Sequence, residues 1–169
     1  MASIEPGVIG FLARMHALPR RPHLDLLDYL PYLINRVGSA LVTRFSEDAL
    51  AGTHLSIATW RVLAVLSNNG GLRQIDLAEM TSTEVSTLSR LVTRLVQMGL
   101  VSRTRSKASN REVIVQLAPK AQALLAQLVP IAETLEGTAT RGLSKQDLAV
   151  VKRALRRMHE NLTQPAGGK

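Results

Sequence analysis

Apolar side chains recur at helical spacing through most of this chain and give way to strict alternation in only one place. Leu30, Leu33, Ile34, Val37, Leu41 and Phe45 repeat every three or four residues. That spacing predicts a helix from about residue 28 to 51, with Asp28 as its cap, Pro31 in its first turn and Gly52 as its end. A second helix opens at Ser56 and buries Trp60, Leu63 and Leu66. Asn68-Asn69-Gly70-Gly71 is the strongest turn signal, and a short helix through Ile75, Leu77, Ala78 and Met80 follows it. Thr81-Ser82-Thr83 breaks the pattern, with Thr81 and Glu84 spaced for a capping box on the next helix. That helix carries an apolar seam of Val85, Leu88, Val92 and Leu95, widened by Leu91 and Met98, and Gly99 stops it. Alternation then appears in Val101–Arg105 and Val113–Leu117, which predicts a β-hairpin with a polar tip over residues 106–111. Pro119 opens a further helix, with a kink expected at Pro130. Ser144 and Asp147 are spaced to cap a last one, along which Leu148, Val151, Leu155, Met158 and Leu162 form a near-heptad row.

The order helix, short helix, three-residue break, helix and hairpin is that of a winged helix-turn-helix. The fold class is therefore mainly α with a small β-wing, flanked by N- and C-terminal helices. Residues 1–23 read as an irregular arm, 24–162 as one domain and 163–169 as a frayed tail. Within the domain, the row at Leu148–Leu162 and the apolar face of residues 30–45 have no partner inside so small a winged unit. Burial of both at a two-fold interface resolves this and supplies two recognition helices. Helices at about 28–51 and 119–162 are thus expected to dimerise, and residues 56–117 to bind DNA.

Charge sharpens that expectation. Lys plus Arg number 21 against 13 acidic residues, a net charge of +8, which favours a polyanionic partner. Six of the cations, Arg90, Arg94, Arg103, Arg105, Lys107 and Arg111, fall in a stretch with no acidic residue. Ser86, Thr87, Arg90, Thr93 and Arg94 lie opposite the apolar seam of the predicted recognition helix, where an α-helix in the major groove presents side chains to base edges and phosphates. Lys107 and Arg111 lie on the hairpin tip, within reach of the adjacent minor groove. A polar face opposite an apolar seam is what any surface helix shows. It is the combination with the basic tip, in this order and without acids, that points to double-stranded DNA.

Other classes fare poorly. The chain has no cysteine, so disulfides, thiolate metal sites and cysteine nucleophiles are excluded. His16, His23, His54 and His159 are scattered, with no His-Glu-x-x-His, Gly-x-Ser-x-Gly or phosphate-cradling glycine loop. No catalytic residue, metal or cofactor is expected. No uncharged run approaches the roughly 18–20 residues of a spanning helix, and Val8–Ala13 is short for a signal sequence, so the expected location is the cytoplasm.

Three segments, Gln74–Met80, Glu84–Leu95 and Gly99–Arg103, give the chain a resemblance to the multiple-antibiotic-resistance regulator (MarR) family, extending over roughly residues 28–162. The resemblance implies a triangular homodimer joined through its terminal helices, and in many members a repressor released by a small ligand. Two departures stand out. The family's wing carries an acidic residue just before its arginine, where this chain has Asn110 before Arg111. After the wing the family reads Leu-Thr-x-x-Gly, whereas Leu117-Ala118-Pro119-Lys120-Ala121 lacks the Thr and the Gly, leaving Pro119 to start the helix.

A ligand site is expected where the dimerisation helices meet the winged domain, with Tyr32, Asn35, Arg36, His54, Trp60 and Arg61 as its residues. Arg36 and Arg61 suit an acidic group, and Trp60 an apolar ring, although a lone Trp is more often core and each Arg more often a surface contact. Leu30–Arg36 is similar to members controlling aromatic-acid breakdown, which implies an aromatic acid or its coenzyme A thioester. The rival reading is an architectural winged-helix scaffold with no effector and no sequence preference.

Overall fold

The computed structural model describes residues 23–105 and 112–163. Residues 1–22 of the arm, the wing tip with Lys107 and Arg111, and the last six residues lie outside them. Helix α1 spans Leu30–Phe45, later than Asp28, with Pro31 in its first turn. Gly52 is not its direct stop. A π-helical turn, Ser46–Leu50, follows α1, and Gly52 adopts a positive φ of 77° just beyond it. The chain divides between Gly38 and Ser39 into two compact units. In the first, Leu30, Leu33, Ile34 and Val37 of α1 are exposed.

In the second unit, α2 (Ile57–Asn69) begins at Ser56, whose side chain and that of Thr59 form a reciprocal capping box. Gly70 at φ 75° ends it. Strand β1 is only two residues, Leu72–Arg73, and was not legible as a strand. It leads into α3 (Gln74–Met80), then α4 (Val85–Gln97). Strands β2 (Val101–Arg105) and β3 (Val113–Leu117) form the wing with the boundaries read from the alternation. The sheet order is β1-β3-β2, antiparallel throughout, with Val101 opposite Leu117 and Leu72 opposite Val115. Helix α5 (Pro119–Ala139) has Pro119 at its start and runs on through Pro130; α6 is Lys145–Thr163.

The core explains why α4 sits where it does. Leu88, Val92 and Leu95 are fully buried against Leu63 and Leu66 of α2 and Leu77 of α3. Each such aliphatic side chain stabilises the fold by about 1.5–3 kcal/mol. Polar residues opposite this seam are thereby turned outward. The C-terminal end of α4 closes as a Schellman motif: Leu100 N–H donates to the Leu95 carbonyl and Gly99 N–H to Val96, with Gly99 at φ 70°. The cap expected between Thr81 and Glu84 does not form. Thr81 Oγ1 donates back to the Leu77 carbonyl at 2.7 Å, closing α3 rather than opening α4, and Glu84 occupies the N-cap of α4 without a side-chain bond. Ser82 takes the left-handed turn position at φ 50° that glycine usually fills. At α6, Ser144 Oγ accepts the Asp147 N–H as expected, but the carboxylate of Asp147 binds the Ser144 hydroxyl instead of the backbone. No residue of α6 is buried; Val151 and Leu155 are exposed, and Leu148 and Met158 half-buried.

Candidate nucleic-acid interface

Helix α4 presents Ser86, Thr87 and Arg90 as exposed side chains on the face opposite Leu88, Val92 and Leu95. Its first residue, Val85, is half exposed. These are the positions from which a helix seated in the major groove reaches base edges. Of the other four residues expected here from the sequence, Thr93 and Arg94 have intramolecular partners, and Lys107 and Arg111 lie outside the described residues. Thr93 Oγ1 donates to the Ser89 carbonyl at 2.8 Å and accepts from Arg103 Nη2 at 2.9 Å. Arg94 Nη2 donates to the His54 carbonyl at 2.9 Å, so its guanidinium is directed at the loop before α2. Arg103 also donates to the Ser89 carbonyl at 3.1 Å, joining β2 to the middle of α4. Arg105 is exposed at the end of β2. The tip residues Lys107 and Arg111 lie outside the described residues.

Sequence reasoning missed two residues that fix this surface. Lys120, at the start of α5, donates to the Met98 carbonyl at 3.0 Å and so covers the C-terminal end of α4, where a cation is favoured. Arg73 binds Asp76 through two contacts of 2.7 Å and Glu112 at 3.3 Å. Its guanidinium pKa is raised and that of Asp76 lowered, in both cases first by the side-chain hydrogen bonds between them. A local pattern of charges gives no sign of Arg73–Glu112, because the partners are 39 residues apart.

A cleft of about 810 Å³ opens beside the C-terminal end of α4. His54, Arg94 and Lys120 contribute its polar wall, and Met98, Leu100 and Leu124 its apolar one. His54 holds a φ of 59°, an uncommon backbone for a non-glycine residue and one that recurs at functional loops. Within the same unit, Trp60 and Arg61 do not line this cleft. Trp60 packs on Phe45, ring centres 5.0 Å apart, and lines a separate cavity of about 240 Å³ with Glu133 and Glu136. Arg61 is exposed and lines neither cavity. In the first unit, the Arg36 guanidinium lies 5.8 Å from the centre of the Tyr32 ring, a cation–π distance, and Asn35 is exposed on the same helix. Among the described residues there is no cluster of three or more metal-ligating side chains and no helix long and apolar enough to cross a membrane.

Comparison with known proteins agrees with this geometry. The MarR family model matches residues 55–113, the segment from the start of α2 to the start of β3. The chain is 35% identical over 68 residues to the uncharacterized HTH-type transcriptional regulator YfiV of Bacillus subtilis, a match spanning 40% of this chain and 42% of that protein. A MarR-family transcriptional regulator from Silicibacter pomeroyi is 29% identical and superposes with a TM-score of 0.76 over 86% of this chain and 99% of its own. BpsR of Bordetella bronchiseptica, whose DNA binding is regulated by 6-hydroxynicotinic acid, shares the fold at 24% identity, with a TM-score of 0.73 over 82% of this chain and 98% of its own. On the matched segment, the shared fold and the outward polar face of α4, residues 55–113 are similar to the winged helix-turn-helix segment of the MarR family, and the chain resembles that family's DNA-binding transcriptional regulators.

Proposed function

We propose that the protein acts as a homodimeric repressor on a palindromic operator and leaves it when a small aromatic acid, free or as its coenzyme A thioester, is bound. The observation that carries this reading is the position of the His54 cleft against the C-terminal end of α4. Two cations of the cleft, Arg94 and Lys120, are held by the carbonyls of His54 and Met98, on either side of that end. A carboxylate entering the cleft competes for both, and loosens the helix that carries Ser86, Thr87 and Arg90. An effector acts only through such a difference between the DNA-competent and DNA-incompetent arrangements. Met98, Leu100 and Leu124 supply the apolar contact an aromatic ring needs. The acidic heteroaromatic regulator of BpsR supports the ligand class.

Base and phosphate contacts are assigned to Ser86, Thr87, Arg90, Lys107 and Arg111, with residues 56–117 as the DNA-binding part, whereas Thr93 and Arg94, also expected there from the sequence, are engaged by partners within the protein. His54 is the ligand candidate with the strongest support. Tyr32, Asn35, Arg36, Trp60 and Arg61 form a second set for mutation. Dimerisation is assigned to the terminal helices, about 28–51 and 119–162, because Leu30, Leu33, Ile34 and Val37 on one and Val151, Leu155 and Leu162 on the other are apolar and exposed in the single chain.

The test is a titration of 6-hydroxynicotinate, benzoate and benzoyl-coenzyme A against the protein on its operator, following release and Trp60 fluorescence together. At least one compound is expected to release the DNA, and Lys120→Gln to weaken that response while operator binding persists. If none perturbs either signal at millimolar concentration while the operator stays bound, the ligand reading is wrong and the regulator assignment stands.

A further inference from the structure

Arg73 occupies a position that local physics disfavours. It is the N-cap residue of α3, where Ser, Thr, Asp or Asn would accept a backbone N–H, and it makes no such bond. Its cation also faces the positive end of the helix, an unfavourable placement. Asp76, in the first turn, offsets this by gripping the guanidinium with two oxygens at 2.7 Å. That grip explains how Arg73 is tolerated, but not why an arginine stands there. The third contact supplies the reason. Arg73 Nη1 reaches Glu112, the residue at the tip-side end of β3, and the backbone of Arg73 is already paired with Ile114 of that strand. One side chain therefore joins the start of the helix-turn-helix to the outgoing strand of the wing.

We propose that Arg73 is a wing-positioning residue, which fixes the tip-side end of β3 to α3 through Asp76 and Glu112 and so sets the wing's approach to DNA. This rests on the DNA-binding assignment and goes beyond it. The wing carries an asparagine, Asn110, before Arg111, so orientation from a neighbouring acid on that side is absent in the sequence. The Arg73–Glu112 pair supplies an anchor on the other side, one residue beyond Arg111. Its bidentate hold on Asp76 limits the freedom of the guanidinium, which distinguishes it from an isolated surface pair.

Three variants separate positioning from simple charge. Arg73→Ser gives α3 a capping hydroxyl, so thermal stability is expected to hold or rise. Operator affinity is expected to fall about two- to fivefold, the upper range for surface ion pairs. The preference for A·T-rich over G·C-rich flanks, which reports the wing, is expected to shrink with it. Glu112→Gln removes a negative charge close to DNA and on charge alone would tighten binding; the positioning role predicts a loss of similar size instead. The double variant is expected to lose no more than either single one. Tighter or unchanged binding by Glu112→Gln, unchanged binding by Arg73→Ser, losses that multiply in the double variant, or losses equal on both flanks would each overturn the proposal. Wild-type binding to the same DNA is measured alongside, so a failure of the DNA-binding assignment itself is seen separately.

Discussion

Replacing Arg90 and Arg103 in turn by Gln asks which cations of this surface meet phosphate. Six basic residues lie between Arg90 and Arg111, but the structure divides them. Arg94 donates to the His54 carbonyl, and Arg103 to Ser89 and Thr93, so two are spent inside the protein. Arg90 and Arg105 are exposed, and the sequence adds Lys107 and Arg111. In the proposed dimer, four such cations on each protomer would neutralise about eight phosphates, for a slope of log K against log salt of about −7. If all six acted, the slope would be about −11. Between 50 and 200 mM salt, the first value means a roughly 10⁴-fold loss of affinity and the second a loss of several million-fold. Anisotropy of a labelled operator across a KCl series reads the slope. Arg90→Gln is expected to flatten it by about 1.8, because one contact is lost per protomer, whereas Arg103→Gln leaves it unchanged. A wild-type slope near −11, or equal flattening by the two variants, would refute the division.

Ser82→Gly is expected to stabilise the fold by about 1 kcal/mol, since Ser82 holds a left-handed φ of 50° in the turn between α3 and α4; a lowered melting temperature would contradict this. Arg111→Ala is expected to weaken operator binding by about 1–3 kcal/mol, and more on A·T-rich than on G·C-rich flanks, because a narrow minor groove attracts a cation more strongly. Equal losses would remove it from the minor groove. Asp76 has its pKa lowered by the hydrogen bonds from Arg73, so its contribution to stability is present above the unfolded carboxylate pKa of about 3.9 and is lost as pH falls through the lower folded value. An NMR titration should place the Asp76 midpoint below that reference and return it toward about 3.9 in Arg73→Ser; an unshifted wild-type midpoint would deny the ion pair in solution.

The wing strands and α4 were legible because burial on one face writes a period into the sequence. Val113, Val115 and Leu117 alternate along a strand, and Leu88, Val92 and Leu95 recur along a helix whose one side is fully buried. Strand β1 was not, because two residues carry no period and Gly70-Gly71 just before them reads as turn. Spacing alone proposed the Thr81–Glu84 box. It fails because Thr81 already has helical backbone, φ −91° and ψ 0°, and its hydroxyl meets the carbonyls of the helix behind it. The pattern likewise names arginines without saying which are held internally; Arg94 and Arg103 are decided by partners 40 and 14 residues away or fewer. Of the ligand candidates, the sequence offered plausible chemistry, but whether His54 and Trp60 line one cavity is a question of packing, and they line two.

Quantitative footprinting on the protein's own upstream DNA, in the presence of increasing bulk competitor, tests the central claim most directly. Sequence-specific binding by paired α4 helices predicts a two-fold symmetric footprint, with half-sites about 10 base pairs apart, that survives a preference of at least about 10³ over bulk DNA. Protection without symmetry that is titrated away by an equal mass of unrelated DNA would contradict it and leave an architectural role.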